Sequence, residues 1–354
     1  MKTIGIYIDR YWWPWDHNNI EEGMGGSETW AYEVSAELAR KGYDVTLYAY
    51  PPQNYEPIPH LSIVNYELYF HDIKYRRYDY FIYSRYVDEI SPYLKCDNVY
   101  VIAHDVCLLT PQNQPLNIGI GKVKKYCYLS EWHKNNLLDL YKDVGLNENL
   151  LYKVSNGFSR QYYNDIDLDI KENSMVWSSS IQRGFMEFYK YVCLPILKDV
   201  PDFKVYVCYG ATTDADRGLI ERASMLPGVE VLGNLSKKKL AEYQKKSKIW
   251  IYPGTFAETF CITAVENAAA GNFIISPLSF GLKTTLDGID YINDMDIQIL
   301  SDNTAQPFIN NAIKSLTDDN YRKKYVIESM EKSKEYSWER AADEFIKLFE
   351  SELS

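Results

Sequence analysis

Two glutamates eight positions apart give the strongest chemical signal in the sequence. Glu258 stands in a short loop after an apolar run that ends in Tyr252-Pro253, and Glu266 lies about two turns further along, in a small-residue helix expected to begin near Thr259. Ionised carboxylates only accept hydrogen bonds. A pair of them, one at the mouth of a crevice and one about two helical turns further in, suits a polyol: one carboxylate for sugar hydroxyls and one for a ribose diol. The free N–H groups and positive end of the helix favour an anion such as a diphosphate. Taken as isolated residues, the two glutamates would simply satisfy the helix dipole and face solvent.

Two further candidates follow strand patterns in the first half of the chain. His104-Asp105 ends the apolar run VYVIA, where a lone histidine is more often structural than catalytic. In parallel sheets, however, ligands bind outside the carboxyl ends of the strands, which is where His104 falls. Trp12, Trp13 and Trp15 share the loop after the first strand. They either pack together as a satellite cluster or form a platform on which a sugar ring stacks.

The strands that would position these residues alternate with helices along the whole chain, a pattern typical of parallel sheets covered by helices. In the first half the predicted strands are Thr3–Asp9, Asp44–Tyr50, Tyr80–Ser84, Val99–His104, Tyr126–Ser130 and Tyr152–Ser155, and the predicted helices are Ser27–Lys41, Arg85–Leu94 and Glu131–Lys142. In the second half the predicted strands are Met175–Ser179, Phe203–Tyr209, Val229–Leu232, Lys248–Tyr252 and Phe273–Ser276, and the predicted helices are Phe185–Leu197, Asp216–Leu226, Lys237–Lys246 and Thr259–Ala270. The fold class is therefore α/β, with two Rossmann-like halves.

The domain boundaries follow from this alternation and from the length of 354 residues, which fits two domains better than one. The stretch Asn164–Asn173 is polar, acidic and free of aromatic residues, and it is the predicted linker. Residues 1–163 and 174–336 are the two predicted domains. Residues 337–354 are predicted to form a C-terminal helix.

Composition argues against several classes of protein. Lys and Arg total 38 against 49 Asp and Glu, and a net charge of −11 argues against nucleic-acid binding. No apolar run approaches the roughly 20 residues of a membrane span, and the start MKTIGIYID passes directly into a strand pattern without a secretory segment. The six cysteines include no C-x-x-C pair, which favours reduced thiols in a cytoplasmic protein and argues against structural zinc. No G-x-G-x-x-G follows an early strand, which argues against a nicotinamide oxidoreductase.

The segment from Glu258 to Glu266 resembles the E-x7-E motif of the retaining glycosyltransferases of family 4, which have the GT-B fold of two facing Rossmann-like domains. Further segments resemble this family in the same order and together span essentially the whole chain: Gly25-Gly26-Ser27-Glu28 at the first helix, Asn156-Gly157 at the end of the first domain, Ser178-Ser-Ser-Ile-Gln-Arg183-Gly184 at the phosphate loop, Tyr209-Gly210, Leu232-Gly233-Asn234 beside the nucleotide base, and Ser337-Trp338-Glu339 at a helix that crosses back to the first domain. The sequence departs from the family at the phosphate loop. Many relatives carry a Gly-Arg pair where this chain has serines, so Arg183 acts there with hydroxyls and N–H groups, or with another cation such as Lys283.

The resemblance and the strand-end positions together assign the candidate site residues. His104, Arg183 and Glu258 are the expected catalytic residues, with His104 near the reacting carbon and Arg183 on the leaving diphosphate. The donor is expected to contact Ser178, Ser179, Ser180, Arg183, Gly184, Tyr209, Gly210, Gly233, Glu258, Thr259, Phe260, Cys261 and Glu266. The acceptor is expected to contact Trp12, Trp13, Trp15, Gly25, Gly26 and Asp105.

No metal or other cofactor is expected at this site. Three segments carry the D-x-D pattern that binds metal in the other large glycosyltransferase fold, but none directly follows a strand in a nucleotide-binding half; they are Asp165-Ile-Asp167-Leu-Asp169, Asp214-Ala-Asp216 and Asp294-Met-Asp296. These pairs are expected to be solvated acidic turns. The run Lys237-Lys-Lys239 is likewise expected to be solvated charge.

The sequence therefore predicts a retaining, metal-independent transferase that moves a sugar from a nucleotide diphosphate sugar to a hydroxyl of a glycan or glycoside. Its expected partners are that donor and acceptor, with no nucleic acid, while peripheral membrane contact stays open. Two alternatives share the fold: a non-catalytic module that binds nucleotide sugars, and an epimerase that acts on the nucleotide sugar itself.

Overall fold

The structure is a computed structural model that describes residues 1–8, 25–50, 57–87, 90–108, 122–211, 213–254, 256–289, 300–301 and 303–351. These residues divide into two compact units. The first unit runs to Gly157 and takes up the chain again from Tyr336, and the second unit is Phe158–Glu335. Each unit has its own buried apolar core.

The first unit is built on one sheet of seven parallel strands. In chain order they are β1 Thr3–Ile8, β2 Asp44–Ala49, β3 Leu61–Asn65, β4 Tyr80–Ser84, β5 Val99–Ile102, β6 Val123–Tyr128 and β7 Leu151–Lys153. Their order across the sheet is β3-β2-β1-β4-β5-β6-β7. All five residues of β4 are buried, as expected for a central strand of a parallel sheet. The strand order reverses between β1 and β4, and ligands bind beside the carboxyl ends at such a point.

Three helices of the first unit precede the second unit: α1 Gly26–Arg40, α2 Tyr69–Asp72 and α3 Glu131–Tyr141. In α1 the residues Trp30, Val34 and Leu38 recur every four positions and are fully buried. That spacing places them on one helix face, which packs against the core. The side chain of Ser130 caps α3 by accepting the His133 N–H at 3.2 Å.

The second unit holds five strands in two short parallel sheets. They are β8 Ser174–Trp177, β9 Lys204–Val207, β10 Val229–Val231, β11 Ile249–Ile251 and β12 Phe273–Ile275. One sheet has the order β10-β9-β8 and the other pairs β11 with β12. The N–H of Lys248 joins the two sheets by donating to the carbonyls of Glu172 and Ser174, both at 3.1 Å. The strands thus follow the order β10-β9-β8-β11-β12, which reverses between β8 and β11.

The helices of the second unit lie between and after these strands. They are α4 Phe185–Phe188, a π-helical turn Tyr189–Cys193, α5 Leu194–Asp199, α6 Asp214–Ser224, α7 Lys237–Lys246, α8 Ile262–Ala269, α9 Leu282–Thr285, α10 Gln306–Thr317 and α11 Asp319–Ser333. No helix among the described residues is both long enough and apolar enough to cross a lipid bilayer.

The last helix, α12 Trp338–Ser351, belongs to the first unit. Phe345 contacts Trp30 with ring centroids 5.6 Å apart, and Phe349 stacks on Tyr80 at 4.1 Å. The chain leaves this unit at Gly157, where a Cβ atom would lie 2.2 Å from the Trp338 backbone nitrogen. Glycine is therefore required where the departing and returning segments touch.

All five strands predicted in the second half are present, each within one or two residues of its expected bounds. The predicted helix Arg85–Leu94 is wrong, because none of its described residues is helical. Arg85 has a left-handed backbone with φ of 75°, a conformation that is incompatible with a right-handed helix. Pro92 has no backbone N–H to donate to a helical hydrogen bond.

The segment predicted as the linker, Asn164–Asn173, lies inside the second unit, and the chain passes between the units at Gly157 and Phe158. The side chain of Lys171 attaches this segment to the second unit. Its buried ammonium group donates toward the carbonyls of Lys245, Ser247 and Ala270 at 2.7–2.8 Å and toward Oδ1 of Asn272 at 2.9 Å. Acidic, polar composition alone gave no sign of this anchor.

Candidate active site

The carboxyl ends of β8 and β11 bring together two segments that are 75 residues apart in the chain. The loop after β8 carries Arg183, and the loop after β11 carries Glu258. Strand order reverses at this point, so the two loops border the crevice in which a parallel sheet binds its ligand.

Arg183 and Glu258 form a charged pair in this crevice. Nη1 of Arg183 donates to Oε1 of Glu258 at 2.6 Å, and the Tyr252 hydroxyl donates to the same oxygen at 2.7 Å. The guanidinium group lies over the Phe256 ring, 3.9 Å from its centroid. Two donors thus fix one carboxylate oxygen, while the other retains the capacity to accept hydrogen bonds from a ligand.

The surroundings of the carboxylate keep Arg183 and Tyr252 protonated. Burial, followed by the negative charge of Glu258, raises the pKa of Tyr252 well above its usual value, so the phenol keeps its proton and donates to the carboxylate. Burial, the largest single effect, opposes the charged form of Arg183, but the negative charge of Glu258 together with Tyr252 and Cys261 raises the pKa of the guanidinium group.

The loop that carries Glu258 is held by backbone contacts. The Gly281 N–H donates to the Glu258 carbonyl at 2.8 Å, and the Thr285 hydroxyl donates to the Phe260 carbonyl. A Cβ atom at Gly281 would lie 2.4 Å from the Thr259 carbonyl oxygen, so this approach requires glycine.

The helix after this loop begins at Ile262, and the predicted start near Thr259 is wrong. Cys261 has a left-handed backbone with φ of 75°, which separates Thr259 and Phe260 from the helix proper. Cys261 is its N-terminal flanking residue, so the free N–H groups of α8 begin there.

The loop after β8 carries the hydroxyl groups of three consecutive serines, Ser178 to Ser180. Ser180 forms a turn whose carbonyl accepts the Arg183 N–H at 3.0 Å. The Ser178 hydroxyl is buried and has no hydrogen-bond partner among the described residues, whereas Ser179 is half-buried. Gly184 has φ of 87° and immediately precedes α4.

Glu266 has a different cation from Glu258. It lies in α8 with 2% of its surface exposed, and Nζ of Lys237 donates to its Oε1 at 2.9 Å. Lys237 was expected to be solvated, yet only 19% of its side chain is exposed. That expectation was wrong because the partner carboxylate lies on another helix, 29 residues away.

Two turns border the same edge of the sheet. Tyr209-Gly210 follows β9, and Leu232-Gly233-Asn234 follows β10. Oδ1 of Asn234 accepts the Gly210 N–H at 2.7 Å, which ties the two turns together. Gly233 has φ of 71°, a conformation that favours glycine.

In the first unit, the carboxyl ends of β4 and β5 carry a second charged cluster. Nε of Arg85 donates to Oδ2 of Asp105 at 2.7 Å, and Nη1 lies 3.7 Å from Oε1 of the buried Glu28. Burial raises the pKa of Glu28, against the opposing charge of Arg85. Exposed Gly25 and Gly26 precede Glu28 at the start of α1.

His104 lies between this cluster and the core. Its ring contacts Trp30 edge-on, with centroids 5.0 Å apart. Burial, then the positive charges of Arg85 and His133, hold the pKa of His104 well below its usual value. The imidazole is therefore neutral near pH 7.

Comparisons with solved structures give the fold a name. The chain is similar to WaaG, a glycosyltransferase involved in lipopolysaccharide biosynthesis, with 12% identity, 98% of this chain and 99% of that chain covered, and a TM-score of 0.71. It is similar to sucrose-phosphate synthase from Thermosynechococcus elongatus, with 13% identity, 100% and 99% covered, and a TM-score of 0.74. It is also similar to Anabaena HepE in complex with UDP and glucose, with 12% identity, 99% and 100% covered, and a TM-score of 0.66. The chain has the GT-B fold. No protein-family model and no curated protein matches its sequence.

The predicted fold class is thereby confirmed, and the GT-B fold places the predicted site residues in two groups. The second unit brings Arg183 together with Glu258, but Glu266 pairs separately with Lys237. The first unit places Asp105 beside His104, at the carboxyl end of β5. Trp12, Trp13 and Trp15 lie outside the described residues.

Sequence reasoning missed three residues that contact predicted site residues: Tyr252, Lys237 and Arg85. Each stands at a strand end or a helix start, which is a usable signal in a doubly wound fold. Their partners, however, are set by tertiary contacts, which the spacing of residues along the sequence does not reveal. Among the described residues no group of three metal-ligating side chains occurs, and Asp216 instead caps α6 together with Thr213.

Proposed function

We propose that this protein is a retaining, metal-independent glycosyltransferase that transfers a sugar from a nucleotide diphosphate sugar to a hydroxyl of a glycan or glycoside. The observation that carries the proposal is the Arg183–Glu258 pair at the strand reversal of the second unit. A cation for a diphosphate and a carboxylate for sugar hydroxyls stand side by side there, as transfer from such a donor requires. The UDP and glucose held by HepE, which shares the fold, are chemically of this class.

In the mechanism we infer, charge grows on the leaving diphosphate as its bond to the anomeric carbon breaks. Arg183, the serine hydroxyls after β8 and the N–H groups at the start of α8 stabilise that charge. They are already in position, so no reorganisation is needed at the moment of reaction. Lys283, which is exposed two residues beyond Gly281, is available as a second cation.

Glu258 binds hydroxyls of the donor sugar and does not act as a nucleophile. Its Oε1 already accepts from Arg183 and Tyr252, so the carboxylate is oriented by two donors. We infer front-face displacement: the acceptor oxygen bonds to the anomeric carbon on the face that the diphosphate leaves, and the acceptor proton passes to a diphosphate oxygen. The configuration is thereby retained.

We assign the acceptor to the first unit. The neutral imidazole of His104 would lie near the reacting carbon, and Asp105, oriented by Arg85, would accept a hydrogen bond from the acceptor. The indole rings of Trp12, Trp13 and Trp15 would stack on an acceptor ring, so Trp13→Ala should raise the acceptor KM more than the donor KM. Equal effects on both KM values would contradict that role.

We further propose that the enzyme works in the cytoplasm. All six cysteines are free thiols and five of them are buried, as a reducing compartment would keep them.

The proposal is tested by donor turnover. A thermal-shift screen over UDP-, GDP-, ADP- and TDP-sugars finds the donor, and Arg183→Ala and Glu258→Ala should then each lower turnover by about two orders of magnitude or more. Arg217→Ala, at an exposed arginine of the same unit, is the control and should keep full turnover. Donor binding without any turnover would indicate a binding module, and conversion of the donor without an acceptor would indicate an epimerase.

A further inference from the structure

In the proposed function Arg183 interacts with two anions, the Glu258 carboxylate of the protein and the diphosphate of the donor. Nη1 of Arg183 donates to Oε1 of Glu258 at 2.6 Å. Within the described part of the chain, this guanidinium group pairs with no other carboxylate and this carboxylate pairs with no other cation. A diphosphate that binds at Arg183 therefore approaches a positive charge that the protein already offsets with a negative one.

The geometry of the guanidinium group restricts how the two anions share it. Its five N–H donors lie in one plane, so anions accept hydrogen bonds at its edges. One face of that plane packs on the Phe256 ring, 3.9 Å from the ring centroid. Glu258 accepts at one of the edges. A diphosphate has to use the remaining edges of the same group.

Burial makes the interaction between these charges stronger than on an open surface. The Arg183 side chain is 32% exposed and the Glu258 side chain only 11%. Water screens partly buried charges less effectively than exposed ones. The carboxylate should therefore lower the affinity of this place for any free diphosphate.

An intact donor offsets that cost, whereas a free nucleoside diphosphate does not. Oε1 of Glu258 accepts from Arg183 and from the Tyr252 hydroxyl, which lies 2.7 Å away. The second carboxylate oxygen retains the capacity to accept hydrogen bonds, and the hydroxyls of a donor sugar supply the protons. Glu258 thus opposes the diphosphate but binds the sugar attached to it.

We propose that Glu258 is a specificity-determining residue that makes the site prefer the sugar-bearing donor to the free nucleoside diphosphate, because it offsets the charge of Arg183. This inference rests on the proposed function and deepens it. The nucleoside diphosphate left after transfer no longer carries the sugar, so the same carboxylate promotes its release.

Calorimetric titration of nucleoside diphosphates tests this inference. UDP, GDP, ADP and TDP are titrated into the wild-type protein, and the tightest binder is then titrated into Glu258→Gln, which keeps the shape of the side chain and removes its charge. We expect the Kd of that nucleoside diphosphate to fall about tenfold in the variant, an effect between those of exposed and buried ion pairs. The donor that the thermal-shift screen identifies should gain less affinity, because the variant also weakens the contact with its sugar.

Two further variants separate the charge of Glu258 from its shape. Glu258→Asp keeps the charge on a shorter side chain, so its Kd for the nucleoside diphosphate should stay near the wild-type value, and it tests the idea even if Glu258→Gln does not fold. Glu187→Gln removes an exposed carboxylate of α4 and should leave the Kd unchanged.

Salt dependence provides a readout that a merely structural role would not change. The Kd for the nucleoside diphosphate should rise more steeply with NaCl concentration in Glu258→Gln than in the wild-type protein, because the attraction that salt screens is larger there. Equal slopes would show that the carboxylate does not offset the charge of Arg183.

The outcomes distinguish this inference from the function on which it rests. If no nucleoside diphosphate and no nucleotide sugar binds the wild-type protein, the proposed function fails and the inference fails with it. If a nucleoside diphosphate binds the wild-type protein and binds Glu258→Gln equally or more weakly, the inference alone is overturned. It is also overturned if the donor gains as much affinity in this variant as the free nucleoside diphosphate.

Discussion

At the scale of single residues, the carboxylate of Glu258 shows how a site is prepared before any ligand arrives. Arg183 and Tyr252 both donate to one of its oxygens, and the phenol stays protonated because burial raises its pKa. The orientation of the carboxylate is therefore decided by its neighbours.

Removal of the Tyr252 hydroxyl should loosen that carboxylate without removing its charge. We expect Tyr252→Phe to lower kcat/KM by about tenfold, because a hydrogen bond to a charged group contributes about 1.5–3 kcal/mol. Steady-state kinetics at varied donor concentration measures the change. Tyr191→Phe, whose hydroxyl accepts from Lys190 outside the site, is the matched control. Unchanged kinetics in Tyr252→Phe would show that the phenol does not position Glu258.

The pKa of His133 leads to a prediction about how the stability of the fold depends on pH. It is fully buried at the start of α3, its Nδ1 accepts the Leu129 N–H at 3.3 Å, and burial lowers its pKa to about 4. The folded state thus holds the neutral form, so this contribution to stability is present above about pH 6.5 and is lost as pH falls toward 4.

The loss amounts to about 1.4 kcal/mol per pH unit within that window. Urea unfolding at several pH values should show a shallower decline for His133→Gln than for the wild-type protein. His71→Gln, at an exposed histidine, should follow the wild-type curve. Parallel curves for all three proteins would rule out His133 as a source of acid sensitivity.

At the scale of elements, Lys171 fixes the segment before β8 to the ends of α7 and α8. Its ammonium group lies within 2.9 Å of four oxygens, three of them backbone carbonyls, and burial lowers its pKa well below the usual value. Because buried acceptors that lose their donor are costly, the segment depends on this side chain.

Lys171→Met should destabilise the second unit by about 2–4 kcal/mol, since several buried acceptors lose their donor. Urea unfolding followed by tryptophan fluorescence reports the change. Lys204→Met removes an exposed lysine at the start of β9 and should shift the transition little. A transition for Lys171→Met that coincides with that of Lys204→Met would show that the anchor contributes nothing.

Sequence patterns predicted the elements far better than the contacts between their side chains. Strand alternation and apolar runs placed β8 to β12 within one or two residues of their bounds, because most positions in these parallel strands are buried and therefore apolar. The motif around Glu258 pointed to a loop whose glutamate contacts Arg183 in the structure. The pairings of Tyr252 and Lys237 could not be predicted, since they depend on which helices and loops become neighbours after folding.

The failed helix prediction at Arg85 has the same origin. Pro92 opposes a helix only near the end of residues 85–94, but Arg85 has a left-handed backbone, from which its side chain contacts Asp105 and Glu28. Backbone strain of this kind is stored where surrounding contacts maintain it, often beside functional sites. Local propensity cannot show such contacts.

At the scale of the whole molecule, the proposed reaction needs no bound metal ion. Arg183 and the N–H groups of α8 are assigned the task that a divalent cation performs elsewhere. Turnover should therefore persist in excess EDTA, measured with the donor that the screen identifies. Loss of turnover in EDTA with recovery on adding Mn²⁺ would return the D-x-D segments to consideration.

The return of α12 to the first unit has a consequence for how the protein is made. Residues 158–335 all leave the ribosome before α12 does, so a growing chain completes its second unit while the first still lacks a helix. Until then Trp30, Tyr80 and Tyr100 have no Phe345 or Phe349 to cover them. The half of the molecule that is synthesised first is thus the half that finishes folding last, and it offers an aromatic surface to chaperones during most of translation.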